Sequence, residues 1–378
     1  MIYVGGIYMV YKSDFKQIRG YVNYLKTNFK FNGLLHFTDF SNLKTILDEG
    51  YLYSRNHCEN NNISFIDGAS HSVLSKASEG VHNCVRFYYR GKTPTLYENE
   101  GIKLKKYCDE IHIPIPVYLL FDEELIYLDN TYFSNGNATN SEIGNTADFF
   151  KTMDWDAIFH NTWFDPCERD YIVNKRQAEL LSCQPVPLMY LKEIIFRCDA
   201  DLKRAINTFG DDSRYKVDIN LFSDKNFKEP RHEYEKNNFI RDYNIEFTYD
   251  PNMKRTALIL NIDYQKQWKD YVTKFKVLDI NGQNISEYKK YIRYRSDSGA
   301  ILRESINNNE SKILILEGEI HRWFKLEVYI NDILCIEEFL VKYNISDYNI
   351  NLIGKNSKTI MVLIVNFTDN NFLNYNHR

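Results

Sequence analysis

Arg86-Phe87-Tyr88-Tyr89-Arg90-Gly91-Lys92-Thr93-Pro94-Thr95-Leu96-Tyr97, running on into Glu98-Asn99-Glu100-Gly101-Ile102, is the stretch on which the fold turns. Its first half is rich in aromatic residues and suits a half-buried strand. Its second half gathers Gly, Pro and cations, which suits a loop leaving that strand. A strand that lines a cleft with rings, followed at once by cations, holds a flat ring and a phosphate together. The plainer reading of the same residues is a core strand with a solvated turn, and the flanking blocks weigh against it.

Upstream, Leu34-Leu35-His36-Phe37-Thr38 reads as a short strand. Asp39 and Ser41 are caps for a helix carrying Leu43, Ile46 and Leu47, which Gly50 ends before Tyr51-Leu52-Tyr53 resumes strand character. A lone His on such a strand is most simply a structural hydrogen-bonder. The functional reading has His36 and Thr38 offering polar groups to a ribose or an amide. Residues 11–31 carry Phe15, Ile18, Val22 and Leu25 at helical spacing. Residues 54–80 are polar and read as a long loop or lid.

Downstream, Lys103, Lys105 and Lys106 form a small basic cluster. Ile111 to Phe121 and Leu125 to Leu128 read as strands, Phe133 to Ala138 as a turn with Asn-Gly chemistry, and residues 146–164 as a helix followed by a loop. In Arg176-Gln177-Ala178-Glu179-Leu180-Leu181 a carboxylate sits inside an apolar run, where burial is costly unless the charge is paired. A salt bridge to Lys175 or Arg176 explains it structurally. A single carboxylate at a cleft rim is also the minimum a glycosyl-transfer site requires.

The chain has 378 residues, enough for two domains with separate cores. A net charge of -4 provides no global field for a polyanion, so any nucleic-acid binding needs a local patch. Seven cysteines, an odd number without a C-x-x-C pair, argue for reduced thiols in the cytoplasm and against a metal site. Met1 to Val10 lacks a basic leader and a cleavage site and reads as a strand, and no run is long enough to span a bilayer.

Four blocks together resemble the DarT family of nucleic-acid ADP-ribosyltransferases. They are His36-Phe37-Thr38 with Asn42-Leu43, Ile46-Leu47 and Gly50; Arg86 to Ile102; Phe133 to Ala138; and Arg176 to Leu181. The second is similar to the family pattern R-F-Y-F-R-P-R-T-P-T-x-Y-x-x-E-G-I, from which Gly91 and Lys92 depart in place of Pro-Arg. The resemblance covers roughly residues 30–207. It implies an α+β ADP-ribosyltransferase fold in which small antiparallel sheets clamp NAD+ as substrate, with no metal.

The resemblance makes Glu179 the catalytic glutamate; Arg86, at the head of the second block, is the second catalytic candidate, holding the pyrophosphate or the acceptor base, with a guanidinium stacked on the strand's aromatics as its plainer reading. Nicotinamide leaves ribose C1′ through an oxocarbenium-like transition state, as in glycoside hydrolysis, and a carboxylate on the 2′-OH follows the developing charge. The same carboxylate, or a neighbour, accepts the proton from a ring nitrogen or amino group of the attacking base. His36, Phe37, Thr38, Phe87, Tyr88 and Tyr89 are the candidates for holding NAD+, although alternation brings only one side of the strand to the ligand. Arg90, Lys92, Tyr97, Lys175 and Arg176 are the candidates for a nucleic-acid strand, with Tyr51 and Tyr53 as further stacking surfaces.

A paired base hides its ring nitrogens, so the expected acceptor is single-stranded nucleic acid, DNA ahead of RNA. The expected biological role is a bacterial toxin or anti-phage defence effector. Alternatives are transfer to protein, an NAD+ glycohydrolase, and a catalytically inactive binding module. The domain reading places the catalytic domain at 1–207, a linker or peripheral segment at 208–238, and an all-β immunoglobulin-like sandwich at 239–378. Short alternating strands and turns such as Asn281-Gly282 support the last. That sandwich is read as targeting or regulatory, a surface for an antitoxin or a phage-derived trigger protein.

Overall fold

In the computed structural model, the described residues are 2–4, 7–66, 68, 79–102, 113–222, 239–250, 255–264, 272–279, 281–291, 309–316 and 323–341. The helix Phe15–Phe29 buries Ile18, Val22 and Leu25, the positions its spacing predicts. It ends at Lys30, which takes a left-handed conformation with φ 56 and donates its N–H to the Leu25 carbonyl.

One eight-stranded sheet organises the first half, where the family resemblance implies several small ones. Its order is Tyr215–Val217, Leu191–Phe196, Pro116–Phe121, Leu34–Asp39, Val85–Tyr88, Glu179–Ser182, Thr131–Ser134 and Ile143–Gly144. All neighbours are antiparallel except the first pair. A two-stranded ribbon, Tyr51–Leu52 with Val186–Pro187, stands apart from it. One face of the sheet, with Phe87, Phe121, Phe133, Leu180 and Ile194, shares the main core with the Phe15–Phe29 helix. Phe87 meets Phe121 edge to face at 5.2 Å, a favoured arrangement for ring quadrupoles. The other face carries Arg86, Tyr88 and Glu179, whereas His36 lies on the core side, edge to face with Phe87.

Several expectations are corrected. The Leu125–Leu128 run is not a strand: residues Glu123–Tyr127 form a 3-10 helix capped by the Asp122 carboxylate. Leu125, Ile126 and Tyr127 are buried in succession, so the run is enclosed on all sides and lacks a strand's alternation. Residues 146–164 hold two short helices, Ala147–Thr152 and Trp155–Ile158, before the loop. The ends of the 54–80 segment are helical, at Arg55–Asn60 and Glu79–His82.

The cysteines are also not all reduced. Cys84 and Cys183 form a disulfide with Cα atoms 4.0 Å apart. Val85 pairs with Ser182, so the next step of the register sets Cys84 opposite Cys183. A separation of 99 residues hid that pairing from the sequence. Cys58, Cys167, Cys198 and Cys335 are free. Cys108 and the Lys103, Lys105 and Lys106 cluster lie outside the described residues.

The Tyr215–Val217 strand completes the large sheet and is followed by a 3-10 helix, Ile219–Leu221; residues 223–238 lie outside the described set. Beyond them is a β region of two sheets. One has the order Ile240–Asp250, Arg255–Tyr264, Asn309–Leu316; the other Asn284–Tyr291, Val272–Asp279, Trp323–Ile330, Ile333–Val341. The strand expected at 360–367 lies outside the described residues.

The helix Asp199–Phe209 joins the two halves. Lys203 pairs with Asp242 at 2.6 Å, Arg204 Nη1 donates to the Leu334 carbonyl at 2.6 Å, and Asn207 Nδ2 donates to the Glu337 carbonyl at 2.8 Å. Among the described residues no helix is long and apolar enough to cross a membrane.

Candidate active site

Register brings the four sequence blocks together. Tyr88 lies opposite Glu179, Leu35 opposite Tyr88, and Ser134 opposite Glu179. Side chains directly opposite in a sheet share a face, so this row presents Tyr88 and Glu179 on one side. Arg86, two residues before Tyr88, shares that side.

There the Arg86 guanidinium grips the Glu179 carboxylate with two parallel bonds, Nε to Oε2 at 2.9 Å and Nη2 to Oε1 at 2.7 Å. Glu179 is 0% exposed, whereas the Arg86 side chain keeps 28% exposure towards the cleft. Burial works against the Arg86 charge, but the Glu179 carboxylate outweighs it and leaves the guanidinium pKa raised. Such a fork–fork pair fixes orientation as well as charge.

Burial first, and then the Glu179 charge, raises the Tyr88 phenol above its ordinary value, so it remains a hydrogen-bonding neutral group shared with Glu179 and Thr95. The Glu179 N–H donates to Ser134 Oγ at 3.0 Å, and that hydroxyl donates to the Gly136 carbonyl at 2.6 Å. Gly136 has φ +142, and a Cβ there would lie 2.1 Å from Asn174 Oδ1, so the turn block needs glycine to close against the glutamate block. Gln177 is held in turn: its Oε1 accepts from Thr95 Oγ1 and from Asn137 Nδ2, each at 2.9 Å.

A cleft of 220 Å³ opens on the Arg86 side of this pair, lined among others by His36, Phe37, Thr38, Arg86 and Tyr88, while Glu179 lies buried behind Arg86 and outside that lining. Phe37 and Tyr88 stack at 5.4 Å with an interplanar angle of 11° and form one wall. His36 Nδ1 lies 2.9 Å from the Arg86 carbonyl. A carbonyl only accepts, so Nδ1 carries the proton and the neutral ring turns an acceptor, Nε2, to its other side. Desolvation lowers the His36 pKa; the bond to the Arg86 carbonyl opposes this, and the Arg86 charge adds to it.

Tyr51 and Tyr53 line the cleft too, and Tyr53 stacks on His57 at 4.1 Å. Asn42 Nδ2 donates to Thr38 Oγ1 at 2.8 Å and to the Ile66 carbonyl at 2.9 Å, fastening the 54–80 segment to the cleft wall.

The other sequence candidates are placed elsewhere. Phe87 is turned into the core, and Tyr89 meets Trp155 edge to face at 5.1 Å. Arg90 is buried, with donors directed to the Gly91, Ile158 and His160 carbonyls and to Asn161 Oδ1. Burial, and after it the Arg176 charge, pushes its pKa down to about 9. Lys92 adopts φ 52 and its N–H donates to the Leu221 carbonyl at 2.9 Å. Tyr97 sits half-buried on the short helix Pro94–Asn99. Lys175 Nζ donates to the Asn135 carbonyl at 2.9 Å, and Arg176 Nη2 to the Lys92 carbonyl at 3.5 Å.

Sequence reasoning missed Ser134, Thr95 and Gln177 as supports of Glu179. Their only signal was membership of the blocks themselves. Among the described residues, no three His, Cys, Asp or Glu side chains gather to hold a metal ion.

The family described as ssDNA thymidine ADP-ribosyltransferase, DarT, matches residues 35–227, just over half of the chain. The chain belongs to this family. It is an NAD+-dependent ADP-ribosyltransferase acting on single-stranded DNA, of the family that supplies the toxins of DarTG systems. Solved structures with partial likeness include Thermus sp. 2.9 DarT in complex with ADP-ribosylated ssDNA, at 18% identity and TM-score 0.40, covering 50% of this chain and 95% of that one. The same protein in complex with NAD+ gives 17% identity and TM-score 0.38, with 50% and 96% covered. Thermosipho africanus DarTG in complex with ADP-ribose gives 15% identity and TM-score 0.38, with 56% and 53% covered. The comparison with curated proteins finds no match.

Proposed function

We propose that the Arg86–Glu179 pair is the centre at which ADP-ribose passes from NAD+ to thymidine in single-stranded DNA. The observation that carries this reading is a fully buried carboxylate held bidentately by an arginine at the wall of an aromatic-lined cleft. Burying a carboxylate costs several kcal/mol, and a fold keeps such a charge where its orientation matters.

In this reading His36 and Thr38 hold polar groups of NAD+, and the Phe37–Tyr88 stack supports a flat ring. The bond between ribose C1′ and the nicotinamide nitrogen breaks, with its electron pair leaving on nicotinamide. Thymine joined to deoxyribose through N1 keeps one ring N–H, at N3, and that nitrogen forms the new bond to C1′. Glu179 takes the N3 proton, and Arg86 keeps the carboxylate aimed and balances its charge. Gln177, its amide held by Thr95, Asn137 and the Val173 carbonyl, stands two residues from the carboxylate and braces the start of its strand.

We propose further that residues 1–207 act as the catalytic unit, with the 208–238 segment supplying the edge strand Tyr215–Val217 at its periphery, and that the two C-terminal sheets form an immunoglobulin-like sandwich. Sheets of three and four strands are in keeping with such an architecture. The sandwich is assigned to targeting or regulation, with an antitoxin or trigger protein as its partner in the cytoplasm. The test is incubation of the full chain with labelled NAD+ and separate single-stranded DNA, duplex DNA, RNA and protein acceptors. The reading predicts label on thymidine-containing single strands. Label confined to protein, or nicotinamide release without transfer, contradicts it.

A further inference from the structure

A second concavity of 610 Å³ lies on the same sheet face, across the Arg90–Thr95 loop from the cleft. Its floor belongs to the row that holds Glu179: Glu193 is opposite Leu120, Leu120 opposite Leu35, Leu35 opposite Tyr88, and Tyr88 opposite Glu179. Neighbouring strands are about 4.8 Å apart, so Leu35 stands about 10 Å and Glu193 about 19 Å from Glu179 along that row. The dividing loop is fastened at both ends, by the Lys92 N–H on the Leu221 carbonyl and by Thr95 on Gln177.

The groove concentrates positive charge on a chain that is net acidic. Among the described residues, five cations line it, Lys30, Arg90, Lys92, Arg176 and Lys216, against two carboxylates, Glu193 and Asp218. Arg90 is occupied internally and serves as a strut: it holds the Ile158 and His160 carbonyls and so fixes the loop that forms one wall. Lys216 lies 3.4 Å from Glu193 and offsets it. Asp218 is turned to local work, accepting from the Asn220 N–H at 3.0 Å. Arg176 Nε is buried without a hydrogen-bond acceptor among the described residues. A buried donor left unmatched is unfavourable, and a ligand oxygen would satisfy it. Beside the groove, two residues past its lining Asn161, Trp163 stands 80% exposed. An exposed indole beside a line of cations is the combination that holds single strands: charge for the backbone, a ring for a base.

We infer that this groove is an extended subsite for the flanking strand of the DNA substrate, entered over Lys92 and Arg176 and leading on to Lys30 and Lys216, with Trp163 stacking a base at its edge. The inference rests on the proposed reaction for its substrate class, but the groove makes its own prediction about strand length. Contacts to the backbone read no sequence, so the subsite adds affinity for longer strands without changing which base is modified. Four phosphate contacts on a single strand steepen the dependence of log affinity on log salt by about 3.

The test compares binding of a 4-mer and a 16-mer, each with one central thymidine, to the full chain without NAD+. Fluorescence anisotropy across a salt series reads the groove independently of catalysis. Wild type should bind the 16-mer at least about tenfold tighter, with the steeper salt slope. Lys30→Gln with Lys216→Gln, whose melting temperature is checked alongside, should lose most of that gain and lower the slope by about 1.4. Trp163→Ala should reduce 16-mer affinity with the slope retained, because stacking releases no counterions. Equal affinity for both lengths in wild type, or a double variant with an undiminished length gain, overturns the groove. A length gain without thymidine modification when NAD+ is added keeps the groove and overturns the proposed reaction.

Discussion

At Glu179 and Arg86 the ion pair serves orientation more than stability. Removing one partner from a buried pair leaves an uncompensated charge and typically costs about 3–5 kcal/mol. Arg86→Ala is therefore expected to lower the melting temperature as well as transfer, because Glu179 has 0% exposure and no water to turn to. Arg86→Lys keeps a charge but loses the fork, so it should recover more of the stability than of the rate. Calorimetry and turnover on the two variants check this, and equal recovery of both quantities contradicts it.

His36 gives a pH signature. Its folded-state pKa is lowered from 6.5, chiefly by desolvation. The unfolded chain then binds the proton first, so the stability that His36 contributes is complete above about 6.5 and is lost as pH falls below it. Melting curves from pH 7.5 to 5 should fall less steeply for His36→Asn than for wild type, and parallel curves contradict this. Glu179 and Arg86 were legible because a carboxylate in an apolar run and an arginine heading an aromatic strand are each unusual. Phe87 and Tyr89 were not separable from Tyr88, because strand alternation states which residues share a face but not which face meets the ligand.

Among the elements, the adjacent strands Val85–Tyr88 and Glu179–Ser182 decide whether the pair meets at all. The Cys84–Cys183 bridge closes their shared end and spans 99 residues of chain. In the chain-entropy view a loop of that length contributes about 4 kcal/mol or more to stability, less whatever order the unfolded state keeps. Cys183 is exposed and open to reductants. Dithiothreitol is expected to lower the wild-type melting temperature by several degrees and to have little effect on Cys84→Ser with Cys183→Ser. Seven titratable thiols in the untreated, unfolded protein contradict the bridge. The strands of the large sheet were largely readable from short apolar and aromatic runs bounded by turn residues, as at Leu34–Asp39, whose burial does not alternate. The 3-10 helix at Glu123–Tyr127 was not, because a short run buried on every side has no period to read. The disulfide was hidden because it depends on register between strands distant in sequence.

For the whole molecule, one apolar cluster runs from Phe40, Phe196 and Ala205 into Phe239, Ile240 and Ile336, and polar contacts concentrated on the Asp199–Phe209 helix are laid over it. Arg204 stacks on Phe40 at 4.1 Å while donating to the Leu334 carbonyl, so it touches both halves at once. Phe40 follows Asp39 at the end of the strand that carries His36 and Thr38. Tyr243 OH donates to Glu338 at 2.5 Å between the two C-terminal sheets, beside the Asn207 contact to the same carboxylate, and burial first, then Glu338, raises that phenol. Arg204→Ala with Asn207→Ala should loosen the junction, giving earlier proteolytic cleavage between the halves while transfer to single-stranded DNA persists. Unchanged cleavage kinetics contradict a junction built on these residues. The change to short alternating strands after residue 239 was legible in the sequence. The docking was not, since its polar partners are single residues without a pattern and its apolar ones, such as Phe40 and Ile336, read like any other core residues.

The central claim is that Glu179, held by Arg86, moves the proton and steadies the charge in transfer to thymidine. Its most direct test is Glu179→Gln, which keeps the shape of the side chain and removes its charge and basicity. Intact-mass analysis of a thymidine-containing oligonucleotide incubated with NAD+ measures transfer, while circular dichroism and the melting temperature verify the fold. Loss of one transition-state contact of this kind is worth about a hundredfold or more in rate. The account predicts a folded variant with transfer reduced at least that far and NAD+ binding retained. A folded Glu179→Gln protein that modifies thymidine at nearly the wild-type rate contradicts it.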